Sequence, residues 1–419
     1  MSQKKVKNNY LKCMDRKHVA VFSIPVIVAA LGYFVDIYDL LLFNIVRIPS
    51  LRSLGLNETE IDKKGELIIG IQMLGLLIGG IIWGVAGDKK GRLRVLFGSI
   101  ILYSIANIAN GFVQTVPQYT IARFVAGIGL AGELGAGITL VSELLKKEQR
   151  GLATSVVAGI GLTGAVVAFF ISQHYGWRNC YFIGGGLGIL LLLMRVSVFE
   201  SGMYKAMEKG VSKGNFFMLF NNKERFKKYA YSILLGLPTW YVIGILIAFS
   251  NKFARNFGMS EEVSPGKATM YAYIAISIGD ISAGVLSQLL KSRKKALYVF
   301  YALTIIMIAL YFMQSPSSSA HHLYWITAGL GFATGFWAIF VIMGAEQFGT
   351  NLRATAATTI PNMVRGSLPL MLLLFNGLQH YYTYTFSGLL TGVVVMIISI
   401  YAVVSTKETF HKDLDYVEM

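Results

Sequence analysis

The sequence predicts an all-α integral membrane protein with twelve transmembrane helices, arranged as two pseudo-symmetric six-helix halves. Composition is the first observation behind this prediction: 54% of the 419 residues are hydrophobic and only 14% are charged, with a mean hydropathy of +0.57. A soluble protein would carry about a quarter charged residues. The second observation is the recurrence of apolar runs long enough to cross a bilayer, which takes about 20 residues. The third is a charged pair that recurs in both halves of the chain.

Twelve apolar runs have this length, six before and six after a polar stretch. The first six lie near residues 20–46, 65–87, 94–114, 119–145, 152–173 and 179–198, and the second six near 229–250, 268–290, 296–313, 322–345, 355–378 and 384–404. We therefore predict an N-terminal half over 1–198, a cytoplasmic linker over 199–228, and a C-terminal half with a short cytoplasmic tail over 229–419. The linker has an apolar cluster followed by bases, which indicates either an interfacial amphipathic segment or a simple tether.

Positive charge is unevenly distributed along the chain, and its distribution predicts the orientation. Most of the 38 Lys and Arg residues flank the spans on the side of the basic N-terminus. Since cytoplasmic loops carry the excess of Lys and Arg, we predict a multi-pass protein of a bacterial inner membrane with both termini cytoplasmic. This bias explains the net charge of +16, which also favours contact with anionic lipids. The charge therefore needs no nucleic acid as a partner, and we expect none. The two cysteines form neither a disulfide framework nor a metal motif, and we expect a monomer.

An acid and a base recur seven residues apart at the ends of the fourth and tenth predicted spans. The fourth span ends in VSELLKKEQRG, with Glu143 and Arg150, and the tenth in GAEQFGTNLRA, with Glu346 and Arg353. The second pair lies 203 residues after the first (346 minus 143), about the separation of the two halves. The repeat indicates duplication, and duplicated six-span halves are typical of transporters that bind substrate near the midplane.

The loop between the second and third spans carries a motif that resembles the signature of the major facilitator superfamily. It reads GVAGDKKGRLRVL, residues 84–96, and is followed in order by RFVAGIGLAGELG in the fourth span, YGWRNCYF at the start of the sixth and VFESG at its end. Each is similar to a motif of that superfamily, and together they extend the resemblance over nearly the whole chain. Within the superfamily, VDIYDLLLF in the first span is similar to the first helix of metabolite:proton and aromatic-acid:proton symporters. VFESG resembles the motif that closes the sixth helix in sugar and organic-ion porters.

The resemblance implies a latch that closes the cytoplasmic end and breaks when the protein opens inward. In this latch Asp88 meets the N-terminus of the eleventh helix, whose partial positive charge favours an anion. The residues expected to take part are Gly84, Asp88, Arg92, Arg94, Glu143 and Arg150, with Glu346 and Arg353 as counterparts in the second half. The alternative for the bases is that they only follow the positive-inside bias.

Charged residues inside the first and fourth spans are candidates for proton coupling, because intramembrane charges are functional by default. Asp36 and Asp39 lie three residues apart and therefore on one helix face. Arg123 enters the fourth span from the outer side at the depth of Asp39, so we expect these two to pair. That leaves Asp36 and Glu133 as the freer acids, and a carboxylate in a low-dielectric cavity can exchange a proton near neutral pH. A structural ion-pair cluster without proton transfer is the alternative.

Arg365 and Asp280 lie near the middle of their spans in the second half and are candidates for binding substrate. The planar fork of a guanidinium suits a carboxylate or a phosphate, but Asp280 could instead neutralise Arg365 permanently. Other polar or aromatic side chains that could line a cavity are Gln72, Trp240, Trp337 and Asn362. For each of these, a structural hydrogen bond or packing between helices is the alternative.

The function that this pattern predicts is secondary active transport of a small organic metabolite, in particular an anion that bears a carboxylate. Transport would proceed by alternating access, with the proton gradient as driving force and no cofactor. Alternatives within the class are a sugar facilitator or symporter and an exporter of drugs or siderophores. An alternative from another class is a membrane sensor that transports nothing. An enzyme is not expected, because the chain has no nucleophile–base constellation, metal motif or nucleotide-binding loop.

Overall fold

The computed structural model describes residues 24–90, 92–133, 157–200 and 216–410. Within these ranges the chain is helical and contains no strand. The helices are α1 (Ile24–Ser53), α2 (Glu58–Lys90), α3 (Arg92–Phe112), α4 (Val116–Leu130), α5 (Gly164–His174), α6 (Trp177–Glu200), α7 (Lys223–Leu234), α8 (Leu237–Tyr241), α9 (Ser250–Asn256), α10 (Pro265–Leu289), α11 (Arg293–Phe312), α12 (Ala320–Ala333), α13 (Trp337–Glu346), α14 (Thr350–Gly366), α15 (Leu368–Leu378) and α16 (Tyr384–Ser405). A 3₁₀ turn at Phe216–Leu219 precedes α7, and a π-helical turn at Val242–Ile247 follows α8.

Ten helical stretches in the described ranges are long and apolar enough to cross a membrane. Two further predicted spans correspond to shorter helices. The fourth span begins with α4, and the rest of it lies in residues 134–156, outside the described part. The eleventh consists of α14 and α15 in succession. The all-helical membrane class is thus confirmed, and the described helices are consistent with twelve spans.

The first two helices extend beyond the apolar runs that predicted them. α1 continues to Ser53 and α2 begins at Glu58, whereas the apolar runs end at residue 46 and resume at residue 65. A reciprocal cap explains the early start of α2: the side chain of Asn57 accepts the backbone N–H of Glu60 at 2.9 Å, and the Glu60 carboxylate accepts the N–H of Asn57 at 3.0 Å. Such a cap satisfies donors that the helix itself cannot bond, so charged residues are helical here without being apolar.

Two of the three prolines in the seventh and eleventh spans lie at helix breaks. Pro238 stands in the first turn of α8, after a break at Leu235 and Gly236, and Pro369 stands in the first turn of α15. A proline is tolerated at the start of a helix because its missing N–H would be unbonded there in any case. Pro361 lies inside α14 and does not end the helix.

The tenth span is also broken, although it contains no proline. α12 ends at Ala333 and α13 begins at Trp337. The hydroxyl of Thr334 donates to the backbone carbonyl of Leu330 at 2.9 Å, and Gly335 follows without a side chain. The predicted tenth span is confirmed over Ala320–Glu346, with its helix interrupted at this position, where local side-chain hydrogen bonding competes with the helical ladder.

Glycines bring two helix pairs into close backbone contact at corresponding places in the chain. In the N-terminal part, Gly79 of α2 lies against the backbone of Ile128 in α4, where an added Cβ would stand 2.5 Å from the carbonyl oxygen. In the C-terminal part, Gly279 of α10 lies in the same manner against the carbonyl of Phe332 in α12. The shared packing supports the internal duplication that the recurring acid/base pair indicates.

We expect Gly79→Ala to destabilise the protein by about 1–3 kcal/mol, because the new methyl group must push α2 and α4 apart. Thermal unfolding of the purified protein in detergent would measure the loss. Gly186→Ala in α6 is the matched control, since an added Cβ there would meet nothing within 4 Å and alanine is the better helix former. Equal unfolding temperatures for the two variants would contradict the packing argument.

The helices before residue 201 and those after residue 215 each pack mainly among themselves, and the two groups meet along a seam. At this seam α2 packs on α14 and α15, while α10 packs on α1 and α5. Asp36 of α1 and Arg365 of α14 meet across the seam, so the packing of the two groups positions the candidate site.

Candidate functional site

Asp36 on α1 and Arg365 on α14 face each other across the seam in the middle of the protein. The distance from Oδ2 of Asp36 to Nη1 of Arg365 is 4.0 Å, and both side chains are buried. Neither carboxylate oxygen of Asp36 has a hydrogen-bond donor among the described residues, and neither Nε nor Nη1 of Arg365 has an acceptor. The two charges therefore compensate each other without a hydrogen bond between them.

Two tryptophans from broken helices enclose the guanidinium of Arg365. Its central carbon lies 5.6 Å from the ring centre of Trp337 at the start of α13, and 5.9 Å from that of Trp240 in α8. Both distances are within the range of cation–π attraction. Tyr33 and Tyr273 are near enough to Arg365 to interact with its charge. The sequence candidates Arg365, Trp240 and Trp337 thus form one site.

Asp280 on α10 is bound by the start of a helix and not by Arg365. Its Oδ1 accepts the backbone N–H of Ala338 at 2.8 Å, in the first turn of α13, where the positive end of the helix favours an anion. Within the described ranges, Asp36 is the one acid within 4.0 Å of Arg365. In the structure Asp280 therefore does not pair with Arg365, because the break in the tenth span offers Asp280 a different partner.

Asp39 and Arg123 form the buried ion pair expected from their depth. Nη1 of Arg123 donates to Oδ1 of Asp39 at 3.0 Å, and Nη2 donates to the Asp39 backbone carbonyl at 3.0 Å. Arg123 also donates to the side chains of Asn107, at 3.2 Å, and Gln72, at 3.3 Å. Gln72 in turn donates to the carbonyl of Leu40 at 3.2 Å. Gln72 therefore belongs to this cluster, which ties four helices together, and not to the surroundings of Arg365.

Glu133 is not a free acid, contrary to the sequence expectation. Arg195 of α6 binds it with two hydrogen bonds, one of 3.0 Å between Nη1 and Oε2 and a shorter one between Nη2 and Oε1. Both side chains are buried and lie against Gly32, one turn from Asp36 on α1. Sequence reasoning missed Arg195 because it stands near the predicted cytoplasmic end of its span, where bases are expected to face water.

Asn362 of α14 bridges the seam at the predicted cytoplasmic end. Its Nδ2 donates to the backbone carbonyl of Ala131 at 2.7 Å, across the two helix groups. One turn away, Gly84 of α2 lies against Thr359, whose Cγ2 would be 3.1 Å from an added Cβ. Asn362 therefore closes the seam, and Gly84 faces the eleventh span as the proposed latch requires.

Most of the charged latch residues lie outside the described part of the chain. This applies to the whole of Glu143 and Arg150 and to the side chains of Asp88, Arg92, Arg94 and Arg353. For these residues the latch stays a prediction.

Glu346 has a partner that the sequence prediction did not name. Arg293, at the start of α11, binds it through two parallel hydrogen bonds of 2.7 Å. Arg293 thus joins the start of α11 to the end of the tenth span through an ion pair.

Glu408, which no sequence motif indicated, anchors the segment after α16 to the start of α11. Its carboxylate accepts the backbone N–H of Arg293 at 3.1 Å and of Lys294 at 3.2 Å, together with the hydroxyl of Ser292. Burial raises the pKa of Glu408, but these hydrogen bonds outweigh it and lower the pKa to about 2. The carboxylate is therefore ionised at physiological pH, as a helix-capping anion should be.

A family model described as Major Facilitator Superfamily matches residues 29–371 of the chain. A protein of Haemophilus influenzae that bears the name of a metabolite transport protein is 27% identical, over 80% of this chain and 84% of its own. The benzoate transport protein of Acinetobacter baylyi is 34% identical, over 41% of this chain and 38% of its own.

Among solved structures, the proton:xylose symporter XylE bound to 6-bromo-6-deoxy-D-glucose has the same fold. The TM-score is 0.68, and the match covers 94% of this chain and 98% of that one at 17% identity. At this identity the likeness extends to the arrangement of the helices and leaves the substrate open.

Proposed function

Because the chain belongs to the major facilitator superfamily and is a multi-pass membrane transporter, not an enzyme, we propose that its substrate is a small organic carboxylate, in particular an aromatic one, carried together with protons. The two helix groups that meet at the seam are the halves that rock in alternating access. Both termini lie in the cytoplasm of a bacterial cell, with the protein in the inner membrane.

The observation that carries this proposal is the state of Arg365. It is a buried guanidinium with donors that lack acceptors, held between two indole rings. A carboxylate can satisfy such donors through charge-assisted hydrogen bonds, and an aromatic ring attached to it can pack on the indoles. The likeness to a benzoate transport protein supports this chemistry.

Proton coupling follows from charge balance at the same pair. With Asp36 ionised, the pair Asp36–Arg365 is neutral. A substrate carboxylate would add an uncompensated negative charge in a dry site, which costs several kcal/mol. A proton on Asp36 removes that excess charge and releases Arg365 to the substrate. Proton and carboxylate therefore bind together, and each favours the other.

The other intramembrane acids have structural roles in this scheme. Arg123 holds Asp39, and Arg195 holds Glu133, each through two hydrogen bonds. The Asp39–Arg123 pair fixes α1 against α4, and the Glu133–Arg195 pair packs against Gly32 of α1. We infer that this arrangement keeps Asp36 facing Arg365. Of the proton-coupling candidates, Asp36 is the one whose carboxylate has no hydrogen-bond donor among the described residues.

Uptake of radiolabelled benzoate into proteoliposomes tests the proposal directly. When the outside is more acidic than the inside, we expect faster accumulation than in protein-free liposomes, into which neutral benzoic acid diffuses unaided, and only equilibration when the pH is equal on both sides. Benzamide, which has the same shape without the charge, is the control and should not be accumulated. Xylose uptake without benzoate uptake would contradict the proposal and favour a sugar transporter.

A further inference from the structure

Arg47 on α1 is a second buried guanidinium on the seam. It lies eleven residues after Asp36 (47 minus 36), which is about three turns and about 16 Å along the helix axis. The two side chains therefore project from the same face of α1. The apolar stem of Arg47 lies against Gly65 of α2, and its guanidinium stands 4.7 Å from the ring centre of Phe249 in the seventh span.

The acids near Arg47 are occupied by other bases. Lys252 of α9 binds Glu66 of α2 at 2.9 Å, and Arg255 of α9 binds Asp62 of α2 at 2.9 Å. These two ion pairs close the seam at the predicted outer end. Arg47 itself donates only to the amide oxygen of Asn251, at 3.3 Å. Its Nε and Nη1 have no acceptor among the described residues.

The cluster therefore contains three cations, Arg47, Lys252 and Arg255, and two carboxylates, Glu66 and Asp62. Arg47 is the cation without a carboxylate partner in this cluster, and it is fully buried. A buried charge without a carboxylate partner is unfavourable, whereas a guanidinium fork with free donors next to an aromatic ring suits a small organic anion. The same combination of guanidinium and aromatic rings occurs at Arg365.

We propose that Arg47 is a second anion-binding site, at the outer end of the transport path, where a small carboxylate binds on its way to Arg365. The path is that of the proposed function, on which this inference rests. Separation of α2 from α9 breaks the ion pairs of Glu66 and Asp62 and exposes Arg47 first, because it lies nearer that end. The anion then moves along α1 by about three turns to reach Arg365.

A test that needs no transported substrate compares the reaction of charged thiol reagents with a cysteine beside the cluster. Asn376 is exposed and donates to Glu66 at 3.3 Å, so Asn376→Cys, in a background without Cys13 and Cys180, is the reporter. In Arg47→Gln, we expect the reporter cysteine to react more slowly with the anionic reagent sulfonatoethyl methanethiosulfonate. Its rate should fall about threefold relative to the rate with the cationic trimethylammonium reagent. Arg47→Lys should restore the ratio. An unchanged ratio in Arg47→Gln would overturn the proposal and leave Arg47 as a structural clasp of the seam.

Transport kinetics supply the second test. We expect Arg47→Gln to raise the KM for benzoate about tenfold, the effect of one lost charge-assisted hydrogen bond, with little change in kcat. Arg52→Gln is the matched control, because Arg52 lies at the same end of α1 but is 60% exposed and paired with Glu58. The same KM in both variants would contradict the proposal without affecting the proposed function. If the wild type does not transport benzoate, the proposed function fails. The ratio of reaction rates with the anionic and cationic thiol reagents then still tests the anion site at Arg47.

Discussion

Replacing Arg365 by glutamine should abolish benzoate binding and transport. Removing one partner of a buried charged contact costs about 2–5 kcal/mol, which corresponds to a loss of affinity of about 30-fold to several thousandfold. The variant also leaves Asp36 without its cation, so it has lost both the substrate's partner and the compensating charge. The stabilisation of purified protein by benzoate in thermal unfolding, together with uptake into proteoliposomes, would measure the loss. Arg365→Lys keeps the charge without the planar fork, and we expect an intermediate affinity.

A suitable control for this variant is Arg178→Gln. Arg178 also stands over an indole ring, 4.2 Å from the centre of Trp177, but it lies away from the site and donates to the backbone carbonyl of Val113. It should bind and transport benzoate like the wild type. Unchanged benzoate affinity in Arg365→Gln would contradict the carboxylate site and indicate a neutral substrate, for which the guanidinium is unnecessary.

Replacing Asp36 by asparagine should separate substrate movement from the proton gradient. Asparagine cannot ionise, so Arg365 is permanently available to the substrate and no proton is required for charge balance. We expect exchange of benzoate between the two sides to persist. A pH difference of one unit corresponds to about 1.4 kcal/mol per proton, or about tenfold accumulation. The part of gradient-driven uptake that exceeds the uptake of protein-free vesicles should be lost in this variant. Counterflow and gradient-driven uptake in the same vesicles would measure the two activities.

Asp39→Asn distinguishes the two aspartates of the first helix. Asp39 holds Arg123, and its loss leaves a buried guanidinium without its carboxylate, at a cost of about 3–5 kcal/mol. We therefore expect this variant to be less stable and to lose exchange as well as accumulation. If Asp39→Asn kept exchange and lost only accumulation, the proton would belong to Asp39 and the assignment to Asp36 would be wrong.

Depth along a helix could be predicted from the sequence, but direction around it could not. Counting residues from the ends of the spans placed Asp39 and Arg123 at one level, and the structure brings them into contact. The same counting could not separate Glu133 from Asp36 as a free acid, because Arg195 and Arg365 reach them from helices whose rotation one sequence does not specify. Contacts across the seam, such as that of Arg365 with Asp36, depend on how the two helix groups are packed.

The apolar pattern also did not predict the polar ends of the helices. Arg47 was missed because the first apolar run ends at residue 46, one position before it, and a base at the end of a span is expected to face water. In the structure α1 continues to Ser53, and Arg47 is buried by the seventh span. The apolar pattern locates a span along the chain, whereas burial against another helix follows from tertiary packing.

The described contacts at the two ends of the seam are of different kinds, and those at the predicted outer end are sensitive to salt. At the predicted cytoplasmic end the described contacts are uncharged: Gly84 against Thr359, and Asn362 bonded to a backbone carbonyl. At the other end the closure consists of partly exposed ion pairs, which salt screens. In the proposed orientation, we therefore expect a rise in ionic strength outside the cell to weaken these ion pairs and to favour outward opening. A cell in a saline medium would then hold more of its transporters ready to receive substrate than the same cell in fresh water.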